Sequence, residues 1–196
     1  PAIREPFEPL PANVQFVEPA VPALTDAFDD DVAAIFVEPI QGEAGVLPLE
    51  EGVLATVREL CDRHDALLVI DEVQTGVGRT GQWLASQGVR ADVVTLAKGL
   101  GGGFPIGACV GVGKAADIFA PGNHGSTFAG NPVASVAALT TLNEVEKLLG
   151  MVRETGAWLG GQLREQGYSV RGAGLLLGIE VADSARVRSA LLEAGF

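Results

Sequence analysis

Four short apolar runs, separated by turn-forming residues, constrain the fold of this chain most. They cover residues 33–37, 67–70, 93–97 and 106–112, and their apolar residues are largely continuous rather than alternating with polar ones. Continuous runs of this length are typical of strands that are covered on both faces, because neither face then needs polar side chains. The pattern therefore predicts an α/β fold around a mainly parallel or mixed sheet with flanking helices.

Segments with apolar residues at helical spacing predict the helices. One covers residues 50–64, and a second begins at Asn131, which with Pro132 has the character of an N-cap and a first helical residue, and continues to Leu149. A helix over 151–166, a strand over 175–181 and an amphipathic segment ending at residue 196 should follow. The residues predicted to face inward are Val53, Val57, Leu60 and Cys61 in the first helix, and Val133, Val136, Ala137, Leu142 and Val145 in the second.

The two ends of the chain suggest its domain organisation. We expect residues 1–149 to belong to a large α/β domain and residues 150–196 to begin a smaller α+β domain. Six prolines near the start each remove a backbone donor, so this stretch is predicted to be a connecting segment that further sequence normally precedes. These prolines are Pro1, Pro6, Pro9, Pro11, Pro19 and Pro22.

Charge and composition argue against several functional classes. The net charge is −12, without a basic stripe that could neutralise a phosphate backbone, so nucleic acid is not an expected partner. No apolar run reaches the ~18 residues of a membrane span, and no signal peptide is recognisable, so a cytoplasmic protein is expected. Cys61 and Cys109 have neither metal-ligand nor redox spacing, and we expect buried free thiols and no metal site.

Asp71 and Glu72 directly follow the apolar run 67–70. The carboxyl ends of parallel strands are where ligands bind, so this acidic pair is a candidate site. A solvated acidic turn is an equally good interpretation of Asp71 taken alone. Four apolar residues before an acidic pair also occur in P-loop nucleotide hydrolases, but the required glycine-rich loop ending in Gly-Lys-Ser/Thr is missing from this sequence.

Lys98 follows the apolar run 93–97 and precedes four glycines within five residues. Glycines let the backbone pass close to a bound group, and a lysine partly desolvated at the edge of a core can act as a nucleophilic amine. A lysine that only caps its strand remains an alternative. A dinucleotide site is disfavoured, because Phe104 stands where the third glycine of the motif would be. The segment 124–127 offers hydroxyls that could bind a phosphate.

Four segments together resemble one protein family. They are VEPIQGEAG at 37–45, LLVIDEVQTGVGRTG at 67–81, VVTLAKGLGGGFPIGA at 93–108 and HGSTFAGNP at 124–132. They are similar to segments of the class III, fold-type I aminotransferases, and within them the acetylornithine and ornithine aminotransferases. The resemblance implies the cofactor pyridoxal 5'-phosphate and the large domain of such an enzyme up to residue 149.

The resemblance also implies roles for residues that would hold the cofactor. Lys98 would bind it as a Schiff base and then move the proton at the reacting substrate carbon. Asp71 would pair with the pyridine nitrogen and keep it protonated, so that the ring withdraws electrons. Val73 would pack on the ring face, and Gln74 would hydrogen-bond the phenolic oxygen.

Two further residues concern the substrate and a second subunit. Thr127 would bind the cofactor phosphate of a neighbouring subunit, which implies a homodimer. Glu43 would lie near the substrate carboxylate and amino-group subsites, although a loop carboxylate in water is an alternative interpretation.

The implied reaction is transamination from N-acetylornithine to 2-oxoglutarate, giving N-acetylglutamate semialdehyde and glutamate in arginine biosynthesis. Ornithine, succinyl-diaminopimelate and 4-aminobutyrate are alternative amino donors. The family's glycine-containing phosphate loop, its stacked aromatic residue and its substrate-binding arginine have no counterpart in these 196 residues. A non-catalytic fragment of such an enzyme is therefore the second hypothesis, because losing such positioning groups costs orders of magnitude in rate.

Overall fold

The computed structural model describes residues 5–10 and 13–196, and its centre is a four-stranded mixed sheet. The strand order is β1-β4-β5-β6, with β1, β4 and β5 parallel and β6 antiparallel to β5. This confirms the predicted α/β class with a mixed sheet. The strands are β1 (Ala34–Val37), β2 (Ile40–Gln41), β3 (Leu47–Pro48), β4 (Leu67–Asp71), β5 (Val93–Leu96), β6 (Ala108–Gly111), β7 (Val170–Ala173) and β8 (Leu176–Ile179).

Four α-helices accompany the strands, namely α1 (Val21–Ala27), α2 (Val53–Arg63), α3 (Pro132–Glu165) and α4 (Ser184–Glu193). The first was not predicted, although Pro22 lies in its first turn, where the missing N–H is tolerated. The predicted connecting segment therefore contains a short helix. Pro1 and Pro11 of that segment lie outside the described residues.

The main core lies between the sheet and α2. This helix buries the four residues predicted to face inward, Val53, Val57, Leu60 and Cys61, and they pack with Leu68 and Ile70 of the central strand β4. Leu24 of α1 completes the same cluster. Each of these larger side chains contributes about 1.5–3 kcal/mol by leaving water, so the cluster fixes β4 against α2.

The long helix α3 differs from its prediction in two respects. It starts at the predicted N-cap, where the Asn131 side chain accepts a hydrogen bond from the Ala134 N–H at 2.9 Å. It then continues for 34 residues, so the predicted break into two helices near residue 150 is wrong. Gly150 keeps a helical backbone and does not end the helix. The helix crosses the predicted domain boundary at 149–150, and the division into two domains stays a prediction.

The buried face of α3 was also predicted only in part. Leu142 and Val145 do pack against Val77 and Leu100. Val133 and Val136, however, are 63% and 62% exposed, whereas Ala134 and Ala138 are buried. Small residues face inward here because the helix passes close to the glycine-rich turn after β5, where a Cβ added at Gly102 would lie 2.6 Å from the Thr141 hydroxyl.

The C-terminal residues form an antiparallel hairpin, β7 with β8, followed by α4. The predicted strand 175–181 corresponds to β8, while β7 was missed because Arg171 and Gly172 interrupt its apolar pattern. The hairpin turn packs against α3, since Gly156 lies against the Gly174 backbone. A backbone bond of 3.0 Å from Leu175 N to Arg79 O also joins this turn to the loop after β4.

One prediction about the sheet is wrong at its edge. Cys61 and Cys109 are both free thiols, but Cys109 is exposed on β6 rather than buried. Val110 on the same strand is 45% exposed, and Phe36 on β1 is 75% exposed. The strands are thus not covered on both faces by the described residues.

Neither a membrane-spanning helix nor a metal-holding group of side chains is found within residues 5–10 and 13–196. None of the helices there is sufficiently long and apolar to cross a membrane. The same residues contain no group of three or more histidine, cysteine, aspartate or glutamate side chains placed to hold a metal ion.

Two glycines of α3 provide a matched test of the hairpin contact. Replacing Gly156 with alanine should lower the free energy of unfolding by about 1–3 kcal/mol, because the added methyl group overlaps the Gly174 carbonyl. A Cβ added at Gly161 would have no atom within 4 Å. Replacing Gly161 with alanine should therefore raise the free energy of unfolding by about 0.5–1 kcal/mol, because alanine has the higher helix propensity. Urea denaturation followed by circular dichroism measures both, and equal effects would contradict the contact.

The two thiols should react at very different rates. Burial raises the pKa of the Cys61 thiol to about 11, so little thiolate forms at pH 8, whereas Cys109 is open to reagent. A chromogenic disulfide reagent at pH 8 should titrate one thiol per folded chain and two in urea. Rapid reaction of both thiols without denaturant would show that the packing of α2 against the sheet does not bury Cys61.

Candidate active site

The three parallel strands bring most of the predicted site residues to one edge of the sheet. Strands β1, β4 and β5 run in the same direction, and Val37 pairs with Ile70 while Asp71 pairs with Thr95. The segments that follow these three strand ends carry Glu43, Asp71 with Gln74, and Lys98 respectively. Such an edge is where ligands bind in open α/β sheets.

The Asp71 side chain is held in place and keeps one oxygen free. It is partly buried, and its Oδ1 accepts hydrogen bonds from Val73 N at 2.9 Å and from Thr95 Oγ1 at 3.0 Å. Oδ2 accepts no hydrogen bond from the residues that the structure describes. A fixed carboxylate with a free oxygen can receive a hydrogen bond from a protonated ring nitrogen.

Lys98 begins a 3-10 turn, Lys98–Gly101, directly after β5. Its side chain is exposed in this chain, so the predicted partial desolvation is wrong, because no described segment covers this position. Its Nζ forms no hydrogen bond or ion pair within the described part of the chain. The amine is therefore available to a ligand.

The backbone at Lys98 is strained. Its φ of 41° lies in the left-handed region, which costs a non-glycine residue roughly 1–2 kcal/mol. Gly102 and Gly103 also have positive φ, which lets the chain turn sharply after the strand. Leu100 and Gly101 are buried beneath this turn and anchor it. Strain that the surrounding structure maintains is typical of functional positions.

Gln74 links the segment after β4 to the loop after β1. Its side-chain amide lies directly against Gly42, where an added Cβ would overlap Oε1. Glu43, the next residue, is exposed in the turn that this glycine opens. Val73 is partly buried between Asp71 and Gln74. The structure thus brings Gln74 and the Glu43 loop together and leaves the Glu43 carboxylate open to solvent.

The Glu43 loop is held from its other side by the C-terminal hairpin. Arg171 of β7 donates from Nε to the Gly45 carbonyl at 2.8 Å, and Val46 lies against Gly172 and Gly178. Local sequence patterns do not predict this contact, because Arg171 lies 126 positions after Gly45 in the chain.

Thr127 lies outside this group. It is exposed in the segment between β6 and α3, and its hydroxyl forms no hydrogen bond within the described residues. Its role toward a neighbouring subunit stays a prediction.

Glu72 differs from the solvated acidic turn that was one interpretation of this segment. It is completely buried, and its carboxylate accepts hydrogen bonds from Thr75, Ala85 and Ser86. Sequence reasoning paired it with Asp71 as a ligand candidate, but adjacent residues of a strand end point to opposite sides. Two of these partners, Ala85 and Ser86, come from a loop whose sequence carries no recognisable pattern.

A family model described as aminotransferase class-III matches residues 5–196. The chain belongs to this family. It is 49% identical over 205 residues to the acetylornithine aminotransferase of Corynebacterium efficiens, an alignment that covers 100% of this chain and 50% of the relative. It is 53% identical over 190 residues to the acetylornithine aminotransferase of Mycobacterium tuberculosis, and this alignment covers 91% of this chain and 47% of the relative. The chain therefore spans about half the length of the curated relatives it matches.

Solved structures of the family have the same fold. The ornithine aminotransferase of Toxoplasma gondii ME49 superposes with a TM-score of 0.86 at 41% identity, covering 96% of this chain and 49% of that one. The acetylornithine aminotransferase of Elizabethkingia anophelis superposes with a TM-score of 0.84 at 35% identity, covering 92% of this chain and 49% of that one. Another structure of the Toxoplasma gondii enzyme, with a TM-score of 0.83 at 38% identity, has partial occupancy of PLP at its active site; that match covers 92% of this chain and 46% of that one.

Proposed function

We propose that this chain supplies the cofactor-holding residues of a pyridoxal-phosphate-dependent aminotransferase that acts on N-acetylornithine and 2-oxoglutarate. The observation that carries the proposal is the arrangement of Asp71 and Lys98 at one edge of the sheet. One offers a fixed carboxylate with a free oxygen and the other a free amine. Family membership and the names of the relatives support the reaction and its donor.

The residues present fit the cofactor. When bound, pyridoxal phosphate withdraws electrons from the substrate carbon that bears the amino group. Oδ2 of Asp71 would accept a hydrogen bond from the ring nitrogen and hold its proton there. Val73 would pack on the ring face, and the Gln74 amide would donate to the phenolic oxygen. The fixed Oδ1 of Asp71 keeps the carboxylate oriented while it does so.

Lys98 would hold the cofactor through Nζ and, once released by the amino donor, move a proton. Nζ would accept the proton from the carbon that bears the donor's amino group and would release it again within the site. Glu43, in the loop against Gln74, would face the substrate subsites. Over the whole reaction the amino group would replace the keto oxygen of 2-oxoglutarate to give glutamate, and the donor carbon would become an aldehyde.

The assembly and the pathway belong to the same proposal. We infer a homodimer in which Thr127 reaches the cofactor phosphate of the neighbouring site, which agrees with its exposure and free hydroxyl in the isolated chain. Because the relatives are named for acetylornithine, we also propose a place in arginine biosynthesis. We expect the reaction to take place in the cytoplasm.

Ornithine is the second candidate donor. The solved ornithine aminotransferase of Toxoplasma gondii ME49 shares 41% of its residues with this chain over the matched region. Because the two donors differ in their α-amino group, free or acetylated, a spectral comparison with each distinguishes them. Succinyl-diaminopimelate and 4-aminobutyrate are included in the same spectral comparison, which gives a panel of four candidate donors.

The test of this proposal is to map where pyridoxal phosphate attaches. The chain has three lysines, Lys98, Lys114 and Lys147, so borohydride trapping and peptide mass spectrometry give a clear answer. We expect one adduct, on Lys98, which disappears in Lys98→Ala. Lys147→Ala is the matched control, because Lys147 is exposed and within the described residues its amine pairs with Glu144 on the helix surface, and its adduct yield should equal that of the unaltered chain.

Addition of N-acetylornithine to the loaded protein should then bleach the visible absorption, and 2-oxoglutarate should restore it. An adduct on Lys98 without a response to any donor of the panel would indicate a non-catalytic fragment. Labelling spread evenly over the three lysines would contradict the proposed site itself.

A further inference from the structure

We propose that Glu72 is a positioning residue of the cofactor site, one that fixes the segment from which Asp71, Val73 and Gln74 reach the ligand. The inference rests on the proposed function, because it concerns the same site. It goes further by assigning a role to a carboxylate that touches neither cofactor nor substrate.

The Glu72 carboxylate is buried and is bound only by neutral hydrogen-bond donors within the described residues. It has no exposed surface, and no lysine, arginine or histidine bonds it within the described residues. Oε1 accepts from Ser86 N at 2.8 Å and from Ser86 Oγ at 2.7 Å. Oε2 accepts from Ala85 N at 3.0 Å and from Thr75 Oγ1. Four donors to one buried carboxylate satisfy its oxygens without a cation.

These bonds hold the cofactor-binding segment at its centre. Glu72 N donates to Thr95 O at 3.0 Å, which extends the pairing with β5 beyond Asp71, and Gly76 N donates to Glu72 O at 2.9 Å. The side chain then ties this turn to residues 84–86. Asp71 precedes this fixed point by one residue and Gln74 follows it by two, so a shift at Glu72 moves both.

The two backbone donors explain why a carboxylate is required. A hydroxyl can donate or accept, but Ala85 N–H and Ser86 N–H can only donate, and each points at a different oxygen. Glutamine offers one acceptor oxygen and one NH₂ group. Glu72→Gln therefore leaves one buried N–H facing another donor, and the turn must move to relieve it.

Asp92 provides a matched control at the opposite edge of the sheet. It is also buried and accepts from Leu68 N at 2.8 Å and from Arg58 Nη1 at 2.8 Å. Burial alone would raise the pKa of the Asp92 carboxyl, but these two bonds hold it below its usual range, so it is charged at neutral pH. Asp92→Asn thus removes a buried charge at the amino end of β5, away from the proposed site.

The experiment compares the two variants and a milder one, Ser86→Ala, in three measurements at neutral pH. These are the thermal midpoint without cofactor, the dissociation constant for pyridoxal phosphate, and the pH midpoint of the visible absorption of the Lys98-bound cofactor. We expect Glu72→Gln to weaken cofactor binding about tenfold and to move the pH midpoint, with a smaller change in the same direction for Ser86→Ala.

Asp92→Asn should lower the thermal midpoint and leave the other two quantities unchanged. Equal effects of Glu72→Gln and Asp92→Asn on cofactor binding, or no spectral change in Glu72→Gln, would overturn the positioning role. If Glu72→Gln does not fold, the positioning role is tested with Ser86→Ala, through its dissociation constant for pyridoxal phosphate and its pH midpoint of the visible absorption. No change in either quantity would then overturn the role. Failure of the unaltered chain to attach cofactor at Lys98 is a separate outcome, which overturns the proposed function and this inference with it.

Discussion

The parallel pairing of β1, β4 and β5 is the constraint on which the candidate site depends. Because these strands run in one direction, their following segments meet at one edge, and Asp71, Gln74, Glu43 and Lys98 come from segments far apart in sequence. The register is fixed by Leu68 and Ile70, which are completely buried under α2. A slip by one residue would exchange the faces of Asp71 and Glu72 and destroy the site.

Two adjacent acidic residues are thereby given opposite environments. Asp71 uses one oxygen for internal hydrogen bonds and keeps the other free, whereas Glu72 uses both oxygens inside the protein. At the opposite edge of the sheet, Asp92 and Arg58 form an ion pair whose side chains are also largely buried. The Asp92 carboxylate is satisfied by its hydrogen bonds, whereas Nε of Arg58 has no partner within the described residues. At the site edge, Oδ2 of Asp71 accepts no hydrogen bond from the described residues and is therefore an acceptor available to a ligand.

Local patterns predicted the four strands of the main sheet and α2, because continuous apolar runs and helical spacing reflect burial directly, but they did not predict β2, β3 or β7. The predicted break in α3 is wrong because the helix continues through Gly150, and the exposure of Val133 and Cys109 depends on what covers them in three dimensions. The cofactor-site residues were predicted from a resemblance to a family. Glu72 could not be assigned in this way, since both backbone N–H groups that bind its side chain, those of Ala85 and Ser86, lie in a loop without a recognisable pattern.

In the proposed site, Asp71 would hold a proton on the ring nitrogen of the cofactor that Lys98 carries. Nitrogen NMR of the chain loaded with pyridoxal phosphate labelled with ¹⁵N in the ring measures this protonation directly. We expect a protonated ring nitrogen in the unaltered chain and an unprotonated one in Asp71→Ala with the cofactor still attached to Lys98. A ring nitrogen in the same protonation state in both proteins would contradict it.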